Sequence, residues 1–149
     1  MQLKLKLKKE KIDMIFASDL LRTKETAEII AKELGLRVNF DERLRENDTG
    51  INNGKKIEEA GAFFRREGET PLEHYERRFT LAPPKGENWV DVQRRMHDFI
   101  KEMEGKYPGK RILIVSHALP LLLVEGLMQG WSRKEIAKEF YEHLIQTAE

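Results

Sequence analysis

Short apolar segments that alternate with helical patterns are the feature that most constrains the fold of this chain. Residues 12–17 and 112–115 are compact apolar runs of the kind found in buried strands. Apolar and polar side chains alternate in residues 36–40, which predicts a further strand. Strands that alternate with helices indicate an α/β fold with a mostly parallel sheet.

The predicted helices have recognisable ends. A helix follows the first strand, with Ser18 or Asp19 as its expected cap and Gly35 as its expected stop. Its inner face is predicted to be formed by Ala27, Ile30 and Leu34. Near the end of the chain, Ser132 opens a capping box before a helix that is expected to run to about Gln146.

The middle of the chain contains a long helical stripe and a polar stretch. Residues 89–104 repeat large apolar side chains at helical spacing, which predicts a core-facing helix. The stripe consists of Trp89, Val92, Met96, Phe99 and Met103. Residues 41–61 are predicted to form a long polar loop and residues 71–79 a short helix.

Composition excludes several classes of protein. The 149 residues include 27 basic and 26 acidic side chains, a net charge of +1, so a nucleic-acid partner is not expected. Because there is no cysteine, disulfides, thiolate metal sites and a cysteine nucleophile are excluded. The longest apolar run, residues 118–124, is too short to cross a bilayer, and no secretory signal is visible. We therefore expect a cytoplasmic protein without a membrane partner, forming one domain over residues 1–149.

Three side chains that follow the predicted strands are the candidates for chemistry. Ligands bind at the carboxyl ends of strands in open α/β sheets. Arg22 follows the first strand in the opening turn of a helix, and Glu46 follows the second, close to Arg43. His117 follows the third strand, next to Ser116. A guanidinium at a helix N-terminus suits a phosphate, and Glu46 is a candidate general acid, so the set predicts phosphoryl transfer.

Each candidate taken singly also has an ordinary structural explanation. His117 could be a hydrogen-bonded residue at a strand end, and Arg22 a surface ion-pair partner. No metal site is expected, because the histidines lack metal-ligand spacing. Two Gly-x-x-x-Gly-Lys segments, residues 50–55 and 105–110, are each one residue short of a P-loop.

Four segments, in order along nearly the whole chain, resemble signature segments of the histidine phosphatase superfamily, the phosphoglycerate mutase-like proteins. They are SDLLRTKETA at residues 18–27, RLRE at residues 43–46 with glycines at 50 and 54, PKGEN at residues 84–88 followed by Asp91, Val92 and Arg95, and VSHA at residues 115–118. Asn88 stands where serine is commoner in that family, and Ala118 where glycine is usual. The resemblance implies a three-layer phosphoglycerate mutase-like α/β fold.

The resemblance also implies the chemistry. It implies a phosphomonoester hydrolase, or less commonly a mutase, that needs neither metal nor cofactor. Arg22 and His117 would be the second arginine and second histidine that hold the phosphate, and Glu46 would protonate the leaving oxygen. The implied partner is a small phosphoester or inorganic phosphate, and the implied substrate-selecting segment is residues 47–79, with its several cations.

The sequence departs from the family at the nucleophile. In that family a first central strand ends in Arg-His-Gly, whose histidine becomes phosphorylated. No Arg-His dipeptide occurs here. We therefore expect an N-terminally truncated domain, a fragment of an ordinary enzyme of the family, that is inactive as this chain alone. Two alternatives remain open, a phosphate-binding pseudoenzyme and a partner-binding module.

A missing central strand would leave an open edge beside residues 112–115, and the chain alone would be marginally stable or prone to aggregate. Leu3, Leu5 and Leu7 alternate with lysine and could fill the edge as a strand, although Leu3 and Leu7 also suit the end of a helix. A second chain, in a homodimer or as a strand donor, is the other candidate.

Overall fold

A parallel three-stranded sheet confirms the predicted α/β fold. A computed structural model of the chain describes residues 10–147, without the side chains of residues 57, 58 and 147. The strands are β1 (Met14–Ala17), β2 (Val38–Phe40) and β3 (Ile112–Val115), in the order β2-β1-β3. All three were predicted, and β1 and β2 each begin two residues later than the sequence indicates.

The helices agree with the sequence except in the polar stretch after β2. They are α1 (Leu21–Leu34), α2 (Ile57–Ala62), α3 (Pro71–Arg77), α4 (Trp89–Lys106), α5 (Ala118–Gln129) and α6 (Arg133–Thr147). The prediction of one long loop over residues 41–61 is wrong, because two 3₁₀ helices, Glu42–Leu44 and Gly50–Asn52, and the start of α2 lie there. Within residues 10–147, no helix is long and apolar enough to cross a membrane.

The chain divides into two compact units. Among the described residues, the first contains residues 10–46 together with Arg95–His117, and the second contains Asn47–Arg94 together with residues 118–147. The sheet and α1 belong to the first unit, and α2, α3, α5 and α6 to the second. The assignment of residues 1–149 to a single domain stays a prediction, and the strand proposed for Leu3 to Leu7 lies outside the described residues.

Apolar packing on β1 forms the core of the first unit. Ile15 and Ala17 are fully buried, and the Phe16 ring meets the Phe99 ring of α4 edge to face with centroids 5.4 Å apart. Helix α1 contacts all three strands. Its buried positions are Thr23, Ala31 and the predicted Ala27, whereas the predicted Ile30 and Leu34 are only half-buried. Small side chains face the sheet because they let the helix approach it closely.

Only the C-terminal end of α1 matches the prediction. Gly35 ends the helix in the left-handed conformation, with φ 69°, and its N–H bonds to the Ala31 carbonyl. The predicted cap, Ser18 or Asp19, is wrong: the capping position is Leu20, which makes no side-chain capping bond. Ser18 instead accepts a hydrogen bond from the Leu20 N–H at 3.3 Å.

Aromatic rings hold the second unit together. Trp89 is 1% exposed and packs edge to face on Phe79 and Phe140, with ring centroids 5.2 Å and 5.1 Å apart. As predicted, Ser132 and Glu135 form a reciprocal capping box at the start of α6.

Two cations in the predicted substrate-selecting segment are already engaged within the second unit. Arg77 forms an ion pair with Glu69 at 2.6 Å, and their side chains are 20% and 9% exposed. The guanidinium of Arg78 lies 3.5 Å from the centroid of the Phe64 ring, which is a cation–π contact. In this conformation both side chains serve the packing of the unit.

Strand β3 is less buried than the sequence predicts. All four of its residues are half-buried, because β3 is an edge strand of the sheet formed by the described residues. The carbonyls of Arg111 and Val115 accept hydrogen bonds from Asp13 and Ser18 on the β1 side. Since backbone groups alternate along a strand, those of Ile112 and Ile114 point to the opposite side.

We predict that amide exchange alternates along β3. Leu113 and Val115 should exchange about tenfold more slowly than Ile112 and Ile114, because only the first pair faces β1. Hydrogen-exchange NMR measures each amide, with Ile15 of central β1 as the protected reference. Equally strong protection at all four positions would contradict the prediction and show that another strand covers the edge.

Candidate active site

Arg22, Glu46 and His117, the three side chains predicted from their positions after the strands, lie together in the first unit. Nε and Nη2 of Arg22 lie 3.2 Å and 2.9 Å from Nδ1 of His117. Nη2 of Arg22 also donates to Oε2 of Glu46 at 3.3 Å. The same carboxylate oxygen lies 3.8 Å from Nδ1 of His117. A guanidinium, a carboxylate and an imidazole thus share one small site.

Parallel strand pairing brings Arg22 and His117 to the same end of the sheet. Ala17 of β1 is opposite Val115 of β3, and the Ser18 N–H donates to the Val115 carbonyl at 3.0 Å. The chain leaves β3 into His117 and leaves β1 into the first turn of α1, where Arg22 lies.

Backbone anchors hold Glu46 against these two residues. Arg95 of α4 donates to the carbonyls of Arg43 and Glu46 at 2.6 Å and 3.0 Å. The Ser116 hydroxyl donates to the Leu44 carbonyl at 2.7 Å. The segment after β2 is therefore fixed from both sides, which places the Glu46 side chain beside Arg22.

His117 is buried and neutral. Its side chain is 2% exposed. Burial, together with the smaller effect of the nearby charges of Arg22 and Arg95, lowers the pKa of His117 from 6.5 to about 4. The imidazole therefore carries no charge near pH 7.

The outer side of the site is open to solvent. The Arg22 side chain is 70% exposed and the Glu46 side chain 33% exposed. An exposed guanidinium anchored on a buried imidazole can bind an anion by charge-assisted hydrogen bonds. Within residues 10–147, no cluster of three His, Asp or Glu side chains could hold a metal ion.

Arg43 and Ser116, which also follow strands, have structural roles instead. Arg43 forms ion pairs with Asp41 at 2.6 Å and Glu102 at 2.7 Å, because the 3₁₀ turn after β2 directs it away from Arg22. Ser116 bonds to backbone, as described above.

Two residues of the site were missed by the sequence analysis. Ser18, expected as a helix cap, is fully buried and its Oγ lies 3.0 Å from Nε2 of His117. Arg95, quoted only as part of a family segment, anchors the Glu46 backbone. Ser18 directly follows β1, so the rule that found Arg22 could also have found Ser18.

Comparison with known proteins decides the family. The sequence profile of the histidine phosphatase superfamily (branch 1) matches residues 1–144. The chain belongs to this superfamily. The resemblance read from the four sequence segments is thereby confirmed.

Relatives within the superfamily are mutase-like and phosphatase proteins. The chain is 37% identical over 115 residues to a probable phosphoglycerate mutase GpmB of Cronobacter sakazakii, covering 74% of this chain and 50% of that protein. It is 35% identical over 134 residues to the GpmB of Salmonella arizonae, covering 84% of this chain and 58% of that protein. The chain thus spans between half and three fifths of the length of these two relatives.

Solved structures share the fold. A mycobacterial glucosyl-3-phosphoglycerate phosphatase superposes with a TM-score of 0.74 at 23% identity, covering 92% of this chain and 68% of that one. Bacillus stearothermophilus YhfR superposes with a TM-score of 0.72 at 26% identity, covering 91% and 66%. Structures of the mycobacterial phosphatase include complexes with inorganic phosphate and with VO3.

We predict that stability falls in acid through His117. Its folded-state pKa of about 4 is below the unfolded value of 6.5, so the folded chain binds fewer protons between those values. The resulting stabilisation is present above pH 6.5 and is lost as the pH falls to about 4. Since one pKa unit corresponds to about 1.4 kcal/mol, the loss is about 3 kcal/mol.

Urea unfolding of the wild type and of His117→Gln at several pH values measures this loss. The difference in unfolding free energy between the two proteins should shrink by about 3 kcal/mol between pH 7 and pH 4. A difference that stays constant between pH 7 and pH 4 would show that His117 keeps an ordinary pKa.

Proposed function

We propose that the site of Arg22, Glu46 and His117 binds the phosphoryl group of a small phosphomonoester, or inorganic phosphate. Arg22 donates to the phosphoryl oxygens, His117 orients the Arg22 guanidinium, and Glu46 is the carboxyl beside the leaving oxygen. In the superfamily's phosphomonoesterase-type phosphoryl transfer, these three residues belong to the part of the active site that binds the substrate, and none of them is the nucleophile. Without a histidine nucleophile, this chain alone binds the group and does not turn it over.

The proposal depends on one contact. The exposed guanidinium of Arg22 lies against the buried Nδ1 of His117, with Nη2 at 2.9 Å and Nε at 3.2 Å. Arginine side chains on a surface usually sample many rotamers, and holding one in place costs conformational entropy. Here the imidazole already orients the guanidinium before a ligand arrives. A preorganised guanidinium recognises phosphate through its planar fork of donors.

The state of His117 supports the proposed lack of turnover. Of the four histidines in the sequence, all within residues 10–147, His117 is the one in the site. Both of its ring nitrogens are engaged, Nδ1 by Arg22 and Nε2 by Ser18. A covalent phosphoryl intermediate needs a ring nitrogen whose lone pair can reach phosphorus. In this arrangement neither nitrogen meets that need.

The relatives support the substrate class. The mycobacterial phosphatase that shares the fold has been solved with inorganic phosphate and with VO3. The GpmB relatives are described as probable phosphoglycerate mutases. Both point to phosphomonoesters, so inorganic phosphate is the simplest probe for this chain.

We predict that inorganic phosphate stabilises the chain through Arg22. At a phosphate concentration about 100 times Kd, binding adds about 2.7 kcal/mol to the free energy of unfolding, and Tm should rise by roughly 5–10 °C. Arg22→Ala should abolish the rise, because it removes the guanidinium donors. Differential scanning fluorimetry against phosphate concentration, at constant ionic strength, measures the effect.

Arg37→Ala is the matched control. Arg37 is an exposed arginine in the loop before β2, outside the site, so its loss changes the net charge equally and should leave the phosphate effect intact. Equal loss in both variants would mean that phosphate acts through general charge and would overturn the proposed site.

We predict that the chain does not hydrolyse a generic aryl phosphate. Wild type and Arg22→Ala should both give the rate of buffer alone, because neither has a nucleophile in the site. Release of the aryl alcohol, followed by absorbance, measures the rate. Turnover by the wild type that is lost in Arg22→Ala would show that the chain is an enzyme as it stands.

The partner-binding alternative makes different predictions. It rests on the half-buried edge of β3, which can accept a strand from another chain. A stable dimer in size-exclusion chromatography, together with no phosphate effect on Tm, would favour that alternative over phosphate binding.

A further inference from the structure

A buried serine lies behind the imidazole of His117. Ser18 is fully buried at the end of β1, and its Oγ lies 3.0 Å from Nε2 of His117. The same oxygen accepts a hydrogen bond from the Leu20 N–H at 3.3 Å. The contact with His117 joins residues 99 positions apart in the chain. Ser18 is not one of the three residues proposed above to act on the phosphoryl group.

The contacts of His117 allow one neutral tautomer. Nδ1 faces Nε and Nη2 of Arg22, and a guanidinium has donors and no acceptor. Nδ1 must therefore carry the lone pair, and the ring proton must sit on Nε2. The Ser18 Oγ is within reach to accept that proton. The opposite tautomer would place two or more N–H donors against one another at Arg22.

The charged groups around the ring agree with this assignment. Arg22 and Arg95 act on His117 as positive charges, and Glu46 Oε2 lies 3.8 Å from Nδ1. An imidazolium would place an N–H on Nδ1, against the Arg22 donors. The neutral ring with its proton on Nε2 satisfies Arg22 and Ser18 together.

We propose that Ser18 is a positioning residue for phosphate binding: by accepting the Nε2 proton of His117, it fixes the tautomer whose Nδ1 lone pair orients the Arg22 guanidinium. The chain of contacts runs from Ser18 Oγ through the imidazole to Nε and Nη2 of Arg22. The donors of Arg22 that are not engaged by His117 then face the ligand. The functional part of this inference rests on the proposed phosphate site.

The tautomer is tested directly on the unmodified protein. NMR of the chain labelled with ¹⁵N in histidine distinguishes a protonated from an unprotonated ring nitrogen at neutral pH, without phosphate. The signals of His117 are assigned from the spectrum of His117→Gln. We expect a protonated Nε2 and an unprotonated Nδ1. A protonated Nδ1 would overturn the proposal, whatever the variants show.

Three serine variants test the consequence for binding. Ser18→Ala removes the acceptor, so the ring should no longer hold one tautomer and Kd for inorganic phosphate should rise roughly three- to tenfold. Ser18→Thr keeps a hydroxyl and should restore the single tautomer and most of the affinity. Ser132→Ala removes a hydroxyl of the α6 capping box, which bonds to Glu135 and not to the ring, and should change neither readout.

The outcomes separate this inference from the proposed function. If the wild type shows the expected tautomer but binds no phosphate, the proposed function fails and the positioning role fails with it, while the structural assignment of the ring stands. If the wild type binds phosphate and Ser18→Ala keeps both the tautomer and a Kd within about twofold, only the role of Ser18 is overturned.

Discussion

The parallel pairing of β1 with β3 is the constraint on which the site depends. In register, Ala17 lies opposite Val115, and the Ser18 N–H closes the ladder on the Val115 carbonyl. Because the side chains just beyond two parallel strands emerge at the same edge, Ser18 meets His117 although 99 residues separate them. A register slip of one residue in either strand would turn that strand's side chains to the opposite face and separate Ser18 from His117.

The polar side chains of the site form a chain of hydrogen bonds that runs from its buried end to its exposed end. Ser18 is fully buried, the His117 side chain is 2% exposed and the Arg22 side chain is 70% exposed. Burying an imidazole without partners would cost free energy, and here each ring nitrogen has one. The same arrangement holds His117 neutral and Arg22 oriented. Stability and the proposed phosphate binding therefore depend on the same hydrogen bonds.

Much of the fold and part of the site could be predicted from the sequence. Apolar runs located β1 and β3, alternation located β2, and the helical stripe from Trp89 to Met103 is buried at all five positions. Arg22, Glu46 and His117 were found because they follow strands, and the structure brings them together. The same rule also selected Arg43, which an adjacent 3₁₀ turn directs to Asp41 and Glu102. Ser18 was misassigned because its partner is distant in sequence, and local capping patterns carry no information on such contacts.

The electrostatics of the site favour a ligand of negative charge. Arg22 and Arg95 both act on the buried ring as positive charges, and Glu46 supplies one negative charge at the exposed side. Protonation of Nδ1 would remove the lone pair that holds the Arg22 guanidinium, so proton uptake at His117 would oppose the arrangement proposed to bind an anion. In the proposed phosphate site, the neutral imidazole is therefore the state that leaves the guanidinium donors ready for a phosphoryl group.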